Sequence, residues 1–218
     1  MALNMPVTNW TAIVPIRSLT EGKTRLAGYP GASVLTEAFA KDVIAACMAC
    51  PEIDNVALVS PDPRVVELAS ASGCNGIAES DSDSDSGGIN GAIAQARQEL
   101  SDAENIVAIL GDLPCIDGSS LSAILTAAGE HETSFVSDTA GTGTTIWCTS
   151  DPSARSHFGH HSRAEHRAAG AIELGLEQTS LEWARARRDV DTDIDLWDAA
   201  RLGLGPATRA LVQPTLLA

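Results

Sequence analysis

The sequence predicts an α/β protein built on a mostly parallel central sheet, of Rossmann-like type. Three observations carry this. Strand-like apolar runs alternate with amphipathic helical segments through the first half of the chain, which is the pattern of βαβ units with right-handed crossovers. The run Ile106–Leu110 is continuously apolar, as in a strand buried on both faces. That run ends abruptly at Gly111-Asp112, and ligands of open α/β sheets bind just outside the carboxyl ends of such strands.

Taken in order, Trp10–Ile16 reads as the first strand and Ser33–Cys50 as a long amphipathic helix stopped by Pro51. Asn55–Ser60 is a second strand, and Asp62-Pro63 opens a helix as N-cap and first residue, closed at Gly73. Cys74–Glu79 is a third strand. The Ser/Asp run within residues 80–88 lacks the spaced glycine and closing glutamate of an EF-hand and reads as a mobile acidic loop. The helix after it runs to about Leu100, with Asn90 at its mouth, either as a cap or as an amide that reads a base or ribose. Ser119–Ala128 is helical and Thr133–Ser137 extended. The glycine–threonine turn Asp138–Thr145 then leads into another strand. Ser162 with Glu165 forms a capping-box pattern, and a helix starting there would offer its N–H groups to an anion. The segment from residue 204 to 218 reads only as a tail.

Composition narrows the function. With 218 residues and 44% hydrophobic content the chain suits one domain, residues 1–218. A net charge of −15 argues against nucleic acid as a partner. No apolar run approaches the roughly 20 residues of a membrane span, and residues 1–10 lack signal-peptide character, so a cytoplasmic location is expected. Five scattered cysteines suit reduced, packed thiols. Cys47 and Cys50 form a lone C-x-x-C without a second pair, and His157, His160, His161 and His166 lack zinc-ligand spacing.

Against this acidic background, Arg17, Lys23 and Arg25 in the loop after the first strand form a cationic stretch that could meet a polyphosphate, although the P-loop spacing is absent. At the other end of the chain, Arg188–Leu196 packs Asp189, Asp191, Asp193 and Asp195 together. Capping by Thr192 or Asp193 explains one or two of these. Asp189 and Asp191 remain, and on an extended segment they point to one side and could share a cation with Asp112.

Together Val14–Arg17, Gly22–Ala27, Gly88-Ile89-Asn90, Gly111–Pro114, Gly141–Thr145, Phe158-Gly159-x-x-Ser162 with His166, and Asp189–Thr192 occur in the order seen in the CofC/FbiD family, and the chain resembles that family over nearly its whole length. The resemblance implies a MobA/GT-A-type nucleotidyltransferase fold. It implies a guanylyltransferase of coenzyme F420 biosynthesis that joins GMP from GTP to phosphoenolpyruvate, 2-phospho-L-lactate or 3-phosphoglycerate and releases pyrophosphate. It further implies that Asp112, Asp189 and Asp191 hold Mg2+ and that Thr144, Gly159 and Ser162 hold the phospho-acid. Arg17, Lys23 and Arg25 would meet the triphosphate, Asn90 the nucleoside, with Asp112 and Lys23 central to catalysis. Arg17 stands where relatives commonly carry lysine, which changes a point charge into a planar fork. A molybdopterin guanylyltransferase-like enzyme and an inactive nucleotide-binding module are the competing readings. The choice of acid, base selectivity and oligomeric state, a homodimer included, are open at this level.

Overall fold

The computed structural model describes residues 9–19, 26, 32–80 and 88–216. A seven-stranded sheet runs in the order β3-β2-β1-β4-β6-β5-β7. Its strands are β1 (Trp10–Pro15), β2 (Ile53–Ser60), β3 (Asn75–Ala78), β4 (Asn105–Ile109), β5 (Thr133–Ser137), β6 (Thr144–Thr149) and β7 (Ile172–Glu173). The pairs β1–β2, β1–β4, β2–β3 and β5–β7 are parallel, and only β6 runs against its neighbours β4 and β5.

The alternation of side chains along β1 and β4 explains their unbroken apolar character. Ala12, Val14, Val107 and Ile109 enter one buried cluster, whereas Ile13, Ile106 and Ala108 enter the cluster on the opposite face. Helices cover both sides: α1 (Ala32–Ala49), α2 (Pro63–Ala71), α3 (Ile89–Glu99), α4 (Gly118–Ala128), α5 (Ser162–Ala168), α6 (Leu181–Arg187), α7 (Asp193–Leu202) and α8 (Pro206–Leu216). Asp62 caps α2 with Pro63 at its first position, as the dipeptide predicts. The same carboxylate also accepts from the Leu19 N–H at 3.1 Å and the Ser18 hydroxyl at 3.3 Å, which ties the exit of β1 to α2.

Two local expectations differ from the structure. Residues 204–218 are not a featureless tail, because residues 206–216 form α8. Its first free N–H groups, on Ala207 and Thr208, donate to the buried carboxylate of Asp42 in α1, each at 2.9 Å. The Ser162/Glu165 box does not form either. The N-cap of α5 is His161 in the left-handed region (φ 63°), and Ser162 is the first helical residue. The turn closes when the Ser162 N–H donates to the Gly159 carbonyl at 3.1 Å, which buries the Ser162 side chain instead of leaving it at the cap. The Ser/Asp loop lies outside the described residues except at its edges. No helix among the described residues is long and apolar enough to cross a membrane.

Candidate active site

The site forms where β1 and β4 end. Gly111 lets the two exits pass closely, since a Cβ there would stand 3.1 Å from Ile16 Cγ1. Asp112 follows at once. Because β6 is antiparallel to β4, its first residues lie beside this same end, with the Leu110 N–H donating to the Thr145 carbonyl at 3.0 Å. The hairpin turn between β5 and β6 therefore stands next to Asp112.

That turn is held from inside by Asp138. Its carboxylate accepts from the N–H of Thr142 at 2.9 Å and of Gly143 at 2.8 Å. A side chain on Gly143 would overlap the Asp138 carboxylate, which accounts for the glycine. From outside, the Arg163 guanidinium donates to the Gly141 carbonyl at 2.9 Å, and the Arg163 N–H to Thr142 O at 3.2 Å. Arg163 itself pairs with Glu173, whose side chain is 2% exposed and also pairs with Arg167.

The chain after α6 is laid across this turn. Thr139 N–H donates to Arg187 O at 2.9 Å, the Thr145 hydroxyl to Ala186 O at 2.8 Å, and Val190 N–H to Asp112 O at 3.1 Å. Val190 is buried, and its two neighbours differ: Asp189 is half-buried within electrostatic reach of Asp112, whereas Asp191 is exposed. Burial, and next the charges of Asp112, Asp138 and Asp191, push Asp189 up to about 7. Thr192 and Asp195 form the capping box of α7, and the Asp195 carboxylate also accepts from the Asp191 N–H at 3.2 Å, so that only the side chains of Asp189 and Asp191 stand outside the capping arrangement.

These acids do not form a ready-made cage: among the described residues no three His, Cys, Asp or Glu side chains are arranged to hold a metal ion. Burial together with the nearby charges of Asp112, Asp138 and Asp191 nonetheless makes Asp189 costly to ionise where it stands. Hard carboxylate oxygens suit Mg2+, which keeps several waters and is commonly bound through one or two carboxylates plus substrate phosphates, so the donor set fits that ion without a closed cage.

On the far side of the turn, Thr144 and Ser162 converge on His166, which is fully buried. Thr144 Oγ1 lies 3.0 Å from His166 Nδ1 and the Ser162 carbonyl 2.8 Å from the same atom. Gly159 stands exposed in the same loop at φ 139°. Asn90, in the first turn of α3, pairs with the Phe158 backbone: its Nδ2 donates to Phe158 O at 2.8 Å, and its Oδ1 accepts from Phe158 N–H at 2.8 Å and the Ser156 hydroxyl at 2.9 Å. Arg17 is exposed at the exit of β1, while Lys23 and Arg25 lie outside the described residues. The structure thus sets Asp189 within electrostatic reach of Asp112, Asp138 and Asp191 and joins Thr144 to Ser162 through His166. Asp138 and Arg163 were missed in the sequence, although an Asp four and five residues ahead of a Thr-Gly pair is a recognisable turn anchor.

A groove of about 1230 Å3 lies elsewhere, between α3 and residues 150–156, and shares Asn90 and Ser156 with this region. Its Arg97 is committed to the carbonyls of Asp151 and Ala154. The chemistry-bearing side chains are at the strand ends, and the site is assigned there.

A mixed α/β sheet with carboxylates at the exit of β4 defines a nucleotidyltransferase-like architecture. Solved structures agree: a putative nucleotide-diphospho-sugar transferase from Desulfovibrio desulfuricans superposes with a TM-score of 0.68 at 14% identity, covering 96% of each chain. A 4-diphosphocytidyl-2C-methyl-D-erythritol synthase superposes at 0.57 and 14% identity, covering 89% of this chain and 99% of the other. Residues 10–213 match the family described as Guanylyl transferase CofC like. The sequence is 36% identical over 219 residues to the phosphoenolpyruvate guanylyltransferase of Streptomyces coelicolor, covering 96% of this chain and 98% of the relative. It is 34% identical over 206 residues to that of Mycobacterium leprae, covering 92% of both. The chain belongs to the CofC-like guanylyltransferase family.

Proposed function

We propose that the protein transfers GMP from GTP to a phosphorylated three-carbon acid, phosphoenolpyruvate or a close analogue, in coenzyme F420 biosynthesis. The observation that supports the reading is the Val190–Asp112 backbone bond, which draws the Asp189–Asp191 segment to the exit of β4, with Asp189 in electrostatic reach of Asp112. The named relatives act on phosphoenolpyruvate, which makes that acid the first candidate here.

In this reading a phosphate oxygen of the acid attacks the α-phosphorus of GTP, a new P–O bond forms, the α–β bridging bond breaks, and pyrophosphate leaves. The second pKa of a phosphate ester is about 6, so the nucleophile is already ionised near neutrality and needs no general base. Repulsion between two anions is the obstacle. Asp112, Asp189 and Asp191 would hold Mg2+, which supplies charge neutralisation and alignment of attacking and leaving oxygens. Arg17, Lys23 and Arg25 would meet the triphosphate, with Lys23 on the departing phosphates. Asn90 would offer its remaining Nδ2 hydrogen to the nucleoside, and Thr144, Gly159 and Ser162 would seat the phospho-acid.

The test crosses four nucleoside triphosphates with phosphoenolpyruvate, 2-phospho-L-lactate and 3-phosphoglycerate, scoring pyrophosphate and product mass. A guanylated phospho-acid made in the presence of Mg2+ is expected. Absence of any nucleotidylated acid across the panel would overturn the reading.

A further inference from the structure

His166 is the one histidine of its cluster that is completely buried, and it contacts Thr144 and Ser162, two of the three positions assigned above to the phospho-acid. Its ring stacks on Phe135 of β5 at a centroid distance of 5.3 Å and meets Phe158 edge-on at 5.5 Å. Its Nε2 lies 3.0 Å from the backbone nitrogen of His157, and its Nδ1 faces both Ser162 O and Thr144 Oγ1.

These contacts fix the tautomer. A backbone N–H can only donate, so Nε2 must be the lone-pair nitrogen and the ring carries its hydrogen on Nδ1. The Ser162 carbonyl can only accept, which agrees. Burial acts in the same direction, depressing the pKa of the ring to about 4 and keeping it neutral. Thr144 Oγ1 then faces an N–H. It can only accept there, and its own hydrogen must point elsewhere. Thr144 is 3% exposed, and this is the only hydrogen bond its hydroxyl makes among the described residues.

We propose that His166 is a positioning residue for the phospho-acid: by filling the acceptor side of the Thr144 hydroxyl and anchoring the Ser162 and His157 backbones, it obliges Thr144 to present its hydrogen to the anionic group of the substrate. The inference rests on the assignment of Thr144, Gly159 and Ser162 to the phospho-acid. It gives the buried imidazole a task distinct from filling space, since an apolar ring of the same size would leave the hydroxyl free to turn inward.

The experiment compares His166→Asn, whose amide N–H stands near the Nδ1 position, with His166→Gln, whose amide reaches the Nε2 position and leaves Thr144 without its donor. Steady-state constants are measured for GTP and phosphoenolpyruvate with both variants, Thr144→Val, and the His166→Gln/Thr144→Val double variant. Expected is a rise of about tenfold in the phospho-acid KM for His166→Gln and for Thr144→Val, the usual scale for a lost hydrogen bond to a charged group. GTP KM should not move, His166→Asn should stay within about threefold of the parent, and the double variant should be no worse than the weaker single one. Equal effects of Asn and Gln, an equal rise in GTP KM, or additive losses would overturn the proposal. Nitrogen chemical shifts of histidine-labelled parent protein give an answer independent of variant folding, since an Nε2–H tautomer at His166 also overturns it. If Thr144→Val leaves the phospho-acid KM unchanged, the substrate assignment fails; if it raises that KM and His166→Gln does not, only the present inference fails.

Discussion

The backbone N–H of Val190 donates to the carbonyl oxygen of Asp112 across 3.1 Å, so a main-chain bond fastens the segment that carries Asp189 and Asp191 to the strand exit. The side chains of the three acids take no part in that bond. Their replacement should therefore leave the fold intact while removing the anchor for Mg2+. Asp112→Ala is expected to cut pyrophosphate release from GTP by at least about a hundredfold, the scale of losing several kcal/mol of charge stabilisation. The circular dichroism spectrum and unfolding temperature should stay near those of the parent. Retained turnover with Mg2+ would remove Asp112 from the metal site.

Asn90 offers a second, separable test. Its amide bridges α3 to the Phe158 backbone, so Asn90→Ala should loosen the Phe158–Ser162 loop and raise the phospho-acid KM by about five- to tenfold, in line with the loss of one or two net hydrogen bonds. A nucleoside contact through the remaining Nδ2 hydrogen adds a rise in GTP KM. Measuring both constants on one variant separates the roles. A phospho-acid effect with GTP unchanged makes Asn90 a loop anchor only.

The same residue shows where reading the sequence stops. Patterns local in the chain were legible: the doubly buried β4, the Asp62-Pro63 helix start and the surplus acids at Asp189 and Asp191 each follow from periodicity or capping rules. Partners far apart in the chain were not. Nothing in the vicinity of Asn90 announces Phe158, and nothing in the vicinity of Asp42 announces α8, because those bonds are fixed by how the sheet and helices close. Ser162 and Glu165 fit a capping rule that the left-handed His161 displaces. The order β4-β6-β5 also escaped, since one antiparallel strand inserted into a parallel sheet leaves no local mark.

Acid should act on His166 before it acts on the fold as a whole. The ring's folded pKa is depressed to about 4, against an ordinary value near 6.5. Between these values the unfolded chain binds a proton that the folded chain refuses, so stability rises with pH across this window. The neutral ring contributes fully above about pH 6.5, and the contribution fades as pH falls towards 4. The linkage is on the order of 3 kcal/mol at most. Denaturant melts of parent and His166→Asn from pH 4 to 8 should converge at low pH and separate above 6.5, the parent steeper between. Parallel profiles would show that the ring is protonated without cost.

The last prediction concerns Asp42 and the C-terminal helix. Gly205 leaves room for the Asp42 carboxylate at the start of α8, since a Cβ on it would overlap that group. The carboxylate does the work usually left to an N-cap side chain, accepting from the N–H groups of Ala207 and Thr208. Asp42 is buried, so its removal takes the acceptor from both donors, of which Thr208 is itself buried. Asp42→Ala should cost about 1–3 kcal/mol and lower Tm by roughly 3–8 °C. The helix packs on α1 through Val212, Leu35 and Phe39, which share a cluster with Val190. Undocking of α8 would therefore expose the underside of the segment that carries Asp189 and Asp191. Turnover at 25 °C should be near that of the parent, while inactivation on warming should set in earlier and coincide with the release of residues 206–216 to protease. Early loss of activity with α8 still protected would place the role of Asp42 in the site rather than in this clasp.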